Sequence, residues 1–405
     1  MIAMLPAFAE VSAAETLSAN DITAEAAVLI DSETGDILFE KDSSKKLGMA
    51  STTKIMTGIL ALENCRLDDI VTISRHASYT EGSSIYTKEG EKISVETLIY
   101  GLLLKSGNDA AAALAEHMAG SEEAFADMMN EKAKKLGLKN THFVNPHGLY
   151  DPDHYTTAYD MMLITKAAVQ NKKLMSVAPE VKYTLHKNSV RAEDLEMSTG
   201  HRMMDKDTAQ YYQGVIFGKT GYTNAARATL VTVAKKDDRN LIVVTLGHEN
   251  RFKQYNDTKI LLDYGFGSFY RFVISKDDLK GMVKLKKSEY ADIQNDFVIV
   301  LPTDVKRENL TQSVDVVNGE IFITLTGGEN DVTQKIGTVA EKSGSFGAAV
   351  LRGLKLIFTI LLYLVVIFIV LFIILLIYIN RRNKKRIAEK KRKERINSNY
   401  KYYNM

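Results

Sequence analysis

Residues 50–64 read ASTTKIMTGILALEN. From Ile55 onward the apolar residues keep helical spacing, with Ile55, Ile59 and Leu62 on one stripe and Met56 and Leu60 beside it. Yet a serine, two threonines and a lysine crowd the head of that helix. Ser51 and Lys54 stand three residues apart, which puts both side chains on one helix face. A lysine there either turns out to water or is kept inside for chemistry, because a buried ammonium is costly. To serve as a base near neutral pH its pKa must fall from ~10.4 toward 7, which costs about 4 to 5 kcal/mol. The helix N-terminus helps, since it favours a neutral amine and a nascent alkoxide. Alone, Ser-x-x-Lys is weak: the same spacing recurs at Ser43 and Lys46, inside the polar connector KDSSKKLGMA.

Working outward, residues 94–120, SVETLIYGLLLKSGNDAAAALAEHMAG, read as two helices broken at Ser106-Gly107-Asn108, with Asn108 or Asp109 as cap of the second. A hydroxyl and an amide can project into a cleft from such a break. Ser-x-Asn is also cheap, as Ser18-Ala19-Asn20 shows. Lys219-Thr220-Gly221 is rarer and sits in the strand-like run GVIFGKTGYT. There Lys219 and Thr220 can face a ligand carboxylate, and Gly221 lets a backbone approach closely. The plain alternative is an edge strand carrying a solvated lysine. All three motifs in this order are far more specific than any one.

The rest of the chain frames them. Residues 24–40, AEAAVLIDSETGDILFE, read as two strands around a Ser-Glu-Thr-Gly turn, and ATLVTVAKK and NLIVVTLGH as a further antiparallel hairpin. Helical runs cover 124–136 and 159–170, and 256–266 reads as a closing helix. Residues 67–92 read as a loop and 184–203 as polar and irregular. Strands thus lie at both ends of the segment with helices between, an α+β pattern whose sheet is assembled from distant chain segments. After Tyr270 come GMVKLKK, FVIVLP, SVDVV and EIFITL, short alternating runs that predict a small all-β unit.

Both ends speak of membranes. The chain's net charge of +2 hides a basic tail: residues 381–405 hold eleven Lys or Arg against two Glu, leaving −7 on the 380 residues before them. A nucleic-acid-binding body is therefore not expected. The 24 residues 356–379 carry no charge, and a helix of that length reaches roughly 36 Å, enough to cross a ~30 Å hydrocarbon core. The basic run behind it predicts a cytoplasmic tail and a body outside. At the other end MIAMLPAFAEVSAAE resembles the second half of a secretory signal. The expected division is a signal remnant at 1–20, a catalytic domain at 21–268, a small β-domain at 269–340, a linker at 341–353, a transmembrane helix at 354–380 and a basic tail at 381–405. Cys65 is the single cysteine, so no intramolecular disulfide can form, and a buried bystander thiol is expected.

From about Glu25 to Phe266 the chain resembles the low-molecular-weight penicillin-binding proteins that are serine-type D-alanyl-D-alanine carboxypeptidases, peptidase family S11. The resemblance rests on MASTTKIMT, LLLKSGNDAAAALAEHMAG, THFVNPHGLYDPDHYTTAYDM and GKTGYTNAA. It implies a β-lactamase-like antiparallel sheet flanked by helices, followed by the β-domain and the anchor. It implies that Ser51 attacks the carbonyl between the two terminal D-alanines, with Lys54 as general base and Ser106 as proton relay to the leaving amine. Asn108 would hold the substrate backbone, Lys219 and Thr220 the terminal carboxylate, and Gly221 the close approach. The backbone N–H groups of Ser51 and Tyr222 would form the oxyanion hole. Peptidoglycan stem peptides are the implied substrates and β-lactams the covalent inhibitors, with no metal or cofactor.

Two departures stand out. Many relatives carry an arginine after the Lys-Thr-Gly strand, where the nearest alignment here puts Gln254, with Arg251 three residues earlier. Arg227 also replaces a residue that is usually small. NPHGL is expected at the cleft rim, with His147 structural. A class A β-lactamase would want a Glu-x-x-Leu-Asn run, which is absent from the sequence; a silent wall-binding protein would have no need of Ser51, Lys54, Ser106 and Lys219 together. Set between body and anchor, the β-domain reads as a spacer, so its deletion should impair processing of intact wall.

Overall fold

The computed structural model describes residues 17–327 and 331–341, with isolated positions 355, 358, 359, 362 and 363. The described residues form two compact units. The first runs to Ile274 and takes back Phe297–Leu310; the second holds Ser275–Asp296, Thr311–Thr326 and residues 331–341.

The first unit is built on β1 (Ala26–Asp31) and β2 (Ile37–Lys41), joined by the expected tight turn. Two short hairpins follow, β3 (Ile70–Thr72) with β4 (Lys92–Ser94) and β5 (Lys182–Leu185) with β6 (Leu195–Ser198). These fall where a loop and an irregular segment were expected, because strands of three or four residues are too short to print an alternation. Then come β7 (Val215–Thr223), β8 (Arg227–Lys236) and β9 (Arg239–His248). The main sheet is antiparallel in the order β2-β1-β9-β8-β7, so β7 ends it.

Alternation along these strands feeds two cores. Ala26, Val28 and Ile30 of β1 face one, with Ile242 and Val244 of β9. Ala27 and Leu29 face the other, with Leu241 and Val243. The first core is helical, formed by α1 (Lys54–Asn64), α3 (Val95–Leu104), α4 (Asn108–Ala119), α5 (Glu122–Lys135), α6 (Ala158–Gln170) and α7 (Lys172–Val177), after the one-turn α2 (Arg75–Ser78). The second is closed by α8 (Lys253–Gly267) through Leu261 and Leu262. Helix α1 is buried from Lys54 through Leu62, so it is a central helix rather than a half-exposed one. The same unit pairs β10 (Phe269–Ile274) with β12 (Phe297–Pro302).

In the second unit, β11 (Glu289–Asp292), β13 (Thr311–Val317), β14 (Glu320–Thr326) and β15 (Val332–Glu341) form a sheet in the order β11-β15-β14-β13. GMVKLKK is not a strand: Lys276–Met282 is the helix α9, capped by Ser275, whose side chain accepts from the Asp278 N–H. The small unit therefore has a helix as well as strands. Among the described residues no helix is long and apolar enough to cross a membrane. The signal remnant, the linker, the expected transmembrane helix at 354–380 and the basic tail lie almost entirely outside the described residues.

Candidate active site

The crowded head of α1 is a separate 3-10 turn, Ala50–Thr53, running straight into the helix. Its threonines serve the turn itself. Thr52 Oγ1 donates to the Met49 carbonyl (2.6 Å) and Thr53 Oγ1 to the Ala50 carbonyl (2.7 Å). The His154 Nε2–H meets Thr53 Oγ1 at 2.8 Å, while His154 Nδ1 accepts from the Val144 N–H. Burial pushes the His154 imidazole down to about 3, which keeps it neutral. Ala50 takes a left-handed φ of 45°, strain that sets the direction of the residue after it, Ser51.

Lys54 is 0% exposed. Its Nζ lies 2.6 Å from Asn108 Oδ1, 2.6 Å from the His147 carbonyl and 3.2 Å from Ser51 Oγ. Burial, and then the charge of Lys219, hold the amine well below its ordinary pKa, against a smaller opposing pull from Asp109. A neutral amine has two N–H bonds and one lone pair. Asn108 and His147 accept two of the Nζ–H bonds and the third points at Ser51 Oγ, so loss of that proton would turn the lone pair toward the Ser51 hydroxyl. That is the geometry of an activated nucleophile.

NPHGL lies behind this turn rather than at the cleft rim. The Pro146 carbonyl accepts from Thr57 Oγ1 (2.6 Å), and Asn145 Oδ1 ties the Gly148 N–H (2.7 Å). Gly148 has φ 85°, and a Cβ built on it would lie 1.9 Å from the Ala50 carbonyl oxygen. The His147 ring accepts the Leu149 N–H at Nδ1 (3.2 Å), so its Nε2–H faces Glu122 (3.1 Å). Burial raises the Glu122 carboxyl, but hydrogen bonds from His147 and His76 outweigh it and hold the pKa low. The His147 ring is thus structural, as expected, but its carbonyl touches the reacting amine. Sequence motifs report side chains, so a backbone acceptor gives no signal.

The break between α3 and α4 falls at Ser106-Gly107. Neither Asn108 nor Asp109 is the N-cap; Gly107 is, without a side-chain bond. Asp109 turns away to accept from Ser84 Oγ and from the N–H groups of Ile85 and Thr87, pinning that loop. Asn108 spends its other end on the Glu81 carbonyl (2.5 Å). Ser106 has φ 60°, and its buried Oγ has no hydrogen-bond partner among the described residues.

Strand β7 closes the site from the sheet side. A Cβ on Gly221 would lie 2.4 Å from Thr229 Oγ1 and 2.9 Å from the Ser51 nitrogen, so only glycine lets the strand come this near. β7 is an edge strand, but Lys219 is not solvated: it is 2% exposed, and its Nζ donates to the Thr220 carbonyl (3.0 Å). Burial pushes it down to about 7. Ser51, Ser106, Thr220, Gly221 and Tyr222 line one cavity of about 570 Å³. Lys54 and Lys219 reach lining residues through Ser51 Oγ and the Thr220 carbonyl, and Asn108 reaches them through Lys54. Gln254 and Arg251 line it too, as does Arg202, which no sequence motif singles out. The Arg251 guanidinium lies 3.6 Å from the Tyr222 ring centroid, fixed as a cation–π pair.

The chain around this site matches a known family. The D-alanyl-D-alanine carboxypeptidase profile, Peptidase S11, matches residues 13–250. The chain belongs to that family. Among curated S11 relatives, D-alanyl-D-alanine carboxypeptidase DacF of Bacillus subtilis (strain 168) is 35% identical over 277 residues, covering 67% of this chain and 69% of that protein. DacC of Escherichia coli (strain K12) is 35% identical over 284 residues, covering 66% and 67%. Among solved structures, D-alanyl-D-alanine carboxypeptidase DacD from Francisella tularensis superposes with a TM-score of 0.67 at 25% identity, covering 83% of this chain and 98% of that one. Penicillin binding protein 6B from Escherichia coli gives 0.66 at 27% identity, covering 81% and 99%. The α+β fold with its antiparallel sheet is thus the S11 fold.

Proposed function

We propose that this S11 chain removes the terminal D-alanine from peptidoglycan stem peptides through an ester on Ser51, and that penicillins trap the same serine. The observation that carries this is the Lys54 amine, fully buried with its Nζ 3.2 Å from Ser51 Oγ. Ser51 gives its proton to Lys54 as Oγ attacks the carbonyl carbon of the penultimate residue. The oxyanion forms against the backbone N–H groups of Ser51 and Tyr222. Ser106, whose hydroxyl is unpaired, passes a proton to the departing amine of D-alanine. Water then cleaves the ester and restores Ser51. Asn108 positions Lys54 through its Oδ1, and of its two amide N–H bonds one goes to the Glu81 carbonyl, which leaves the other for the substrate backbone.

The terminal carboxylate belongs beside Lys219 and Thr220. A buried amine near its midpoint at pH 7 gains most from a counter-charge, which the carboxylate supplies. Arg251 and Arg202 add positive charge at the same cavity, in place of the arginine replaced by Gln254. The test is incubation of the purified chain with a D-Ala-D-Ala-ended peptide and with fluorescent penicillin. Released D-alanine and a long-lived adduct on Ser51 support the assignment. Rapid penicillin turnover would mark a β-lactamase, and no adduct a silent wall binder; either outcome sinks it.

Membrane tethering completes the proposal: residues 356–379 anchor the chain, with the catalytic unit outside and the basic tail inside. A chain stopped after residue 341 should move from the membrane to the soluble fraction with penicillin labelling intact. If it stays with the membrane, the anchor lies elsewhere.

A further inference from the structure

Cys65, expected to be a bystander, has company. Its Sγ, a carboxylate oxygen of Asp69 and a ring nitrogen of His117 all lie within 4.8 Å of one another. We propose that these three residues bind a divalent transition-metal ion of the zinc type, fastening the far end of α1 to the far end of α4.

The donor set is the first reason. A thiolate, an imidazole and a carboxylate together suit zinc far better than magnesium or calcium, and a water would complete four-coordination. Zinc bonds of about 2.0–2.3 Å put ligand atoms roughly 3.3–3.8 Å apart, so the cluster has to close by about an ångström.

Local structure makes that closure small work. Cys65 is the C-cap of α1, its N–H bonded to the Ala61 carbonyl. Asp69 is set four residues on by the turn after the helix: its Oδ2 accepts from the Arg66 N–H (2.8 Å), and its own N–H donates to the Arg66 carbonyl (3.2 Å). Its carbonyl accepts from the Val95 N–H (2.9 Å). Two ligands are therefore fixed before any ion arrives. His117 stands on the last turn of α4, exposed and, among the described residues, without a hydrogen bond, so rotation of its ring does the closing.

Charge complementarity agrees with the geometry, since a divalent cation would sit between a sulfur and a carboxylate that lie side by side. Lys173, whose Nζ donates to the Leu62 carbonyl (3.0 Å), is an opposing charge near the thiol.

The position gives the site a purpose. Lys54 opens α1 and Asn108 opens α4, whereas Cys65 and His117 close them. An 11-residue helix is about 16 Å long, so the ion would touch no reacting group. It would hold the two catalytic helices in register from behind.

The test uses the full chain, stripped with a chelator and then titrated with Zn²⁺. At 100-fold excess over Kd the melting temperature should rise by roughly 5 °C. Co²⁺ should give a thiolate-to-cobalt charge-transfer band. Cys65→Ser and His117→Ala should each lose both effects while Ser51 still labels with penicillin, which shows the variants folded. His117 is exposed, so its variant separates lost ligation from lost packing. No band in the wild type, or a melting gain that survives in both variants, overturns the site. A band without any melting gain overturns the fastening role.

Discussion

At the scale of the residue, two buried lysines carry the proposed chemistry, and they make separable predictions. Replacing Lys54 with Met should cut the rate of penicillin acylation by about 10³-fold, the usual worth of a general base, without unfolding the chain. Stopped labelling with fluorescent penicillin measures it; a loss under tenfold would remove Lys54 from the base role. Lys219 makes a stability prediction. Folded, it gives up its proton near pH 7, whereas an unfolded lysine keeps it to about 10.4. From pH 7 upward the unfolded state binds the extra proton, so wild-type stability gains as pH rises. Lys219→Met should therefore melt higher than wild type at pH 6, with the difference shrinking toward pH 10. A constant difference across that range would mean the amine is not buried as described. Of these residues, Ser51, Lys54, Ser106, Asn108, Lys219, Thr220, Gly221 and Tyr222 were all legible as candidates, because each is a side chain or motif member with its own spacing. The His147 carbonyl and Arg202 were not. One acts through backbone, the other through a loop whose path to the cavity no local pattern encodes.

At the scale of the element, three pieces meet at Ser51: the 3-10 turn, the Asn145–Leu149 loop behind it and β7 beside it. Their closeness is set by glycines. Gly148→Ala places a methyl at φ 85° against the Ala50 carbonyl and should cost more than about 3 kcal/mol, with loss of labelling. Gly90→Ala, at φ 78° with nothing within 4 Å of the added atom, should cost only about 1–2 kcal/mol and leave labelling intact. Denaturant melts of the pair check the contrast; equal costs would show that backbone conformation, not the approach, is what matters. Long elements were readable because their periods run for many residues: β8, β9 and α6 fall within a residue or so of their expected bounds. β3 to β6 were not, since each is short and gains its pairing from the tertiary structure around it.

At the scale of the whole molecule, the first unit is closed by contacts between distant parts of the sequence. Asp31, 0% exposed at the end of β1, accepts from Arg271 Nη2 (2.7 Å) and Nε (3.1 Å), 240 residues away in sequence. Arg239 stands 3.5 Å off on the same carboxylate. Arg271→Met should lower stability by about 3 kcal/mol, the lower end for a broken buried pair, since Arg239 remains. A calorimetric melt tests it, and a change below about 1 kcal/mol would mean Arg239 suffices alone. No window of sequence around Arg271 hints at this partner. The change of texture after Tyr270 is real, but texture records local propensity, while membership of a unit records which distant groups are satisfied together.

The main sheet ends at β7, and that last strand borders the cavity. Half of an edge strand's backbone groups lack a neighbour to bond, which in most proteins invites unwanted strand addition from other molecules. Here the same groups are what an extended ligand would pair with. Solubility and turnover would then draw on one row of amides, and proline at residues 220–222 would blind the enzyme. A short extended peptide lacking a cleavable end should therefore behave as a competitive inhibitor, slowing penicillin labelling in proportion to its occupancy of the strand.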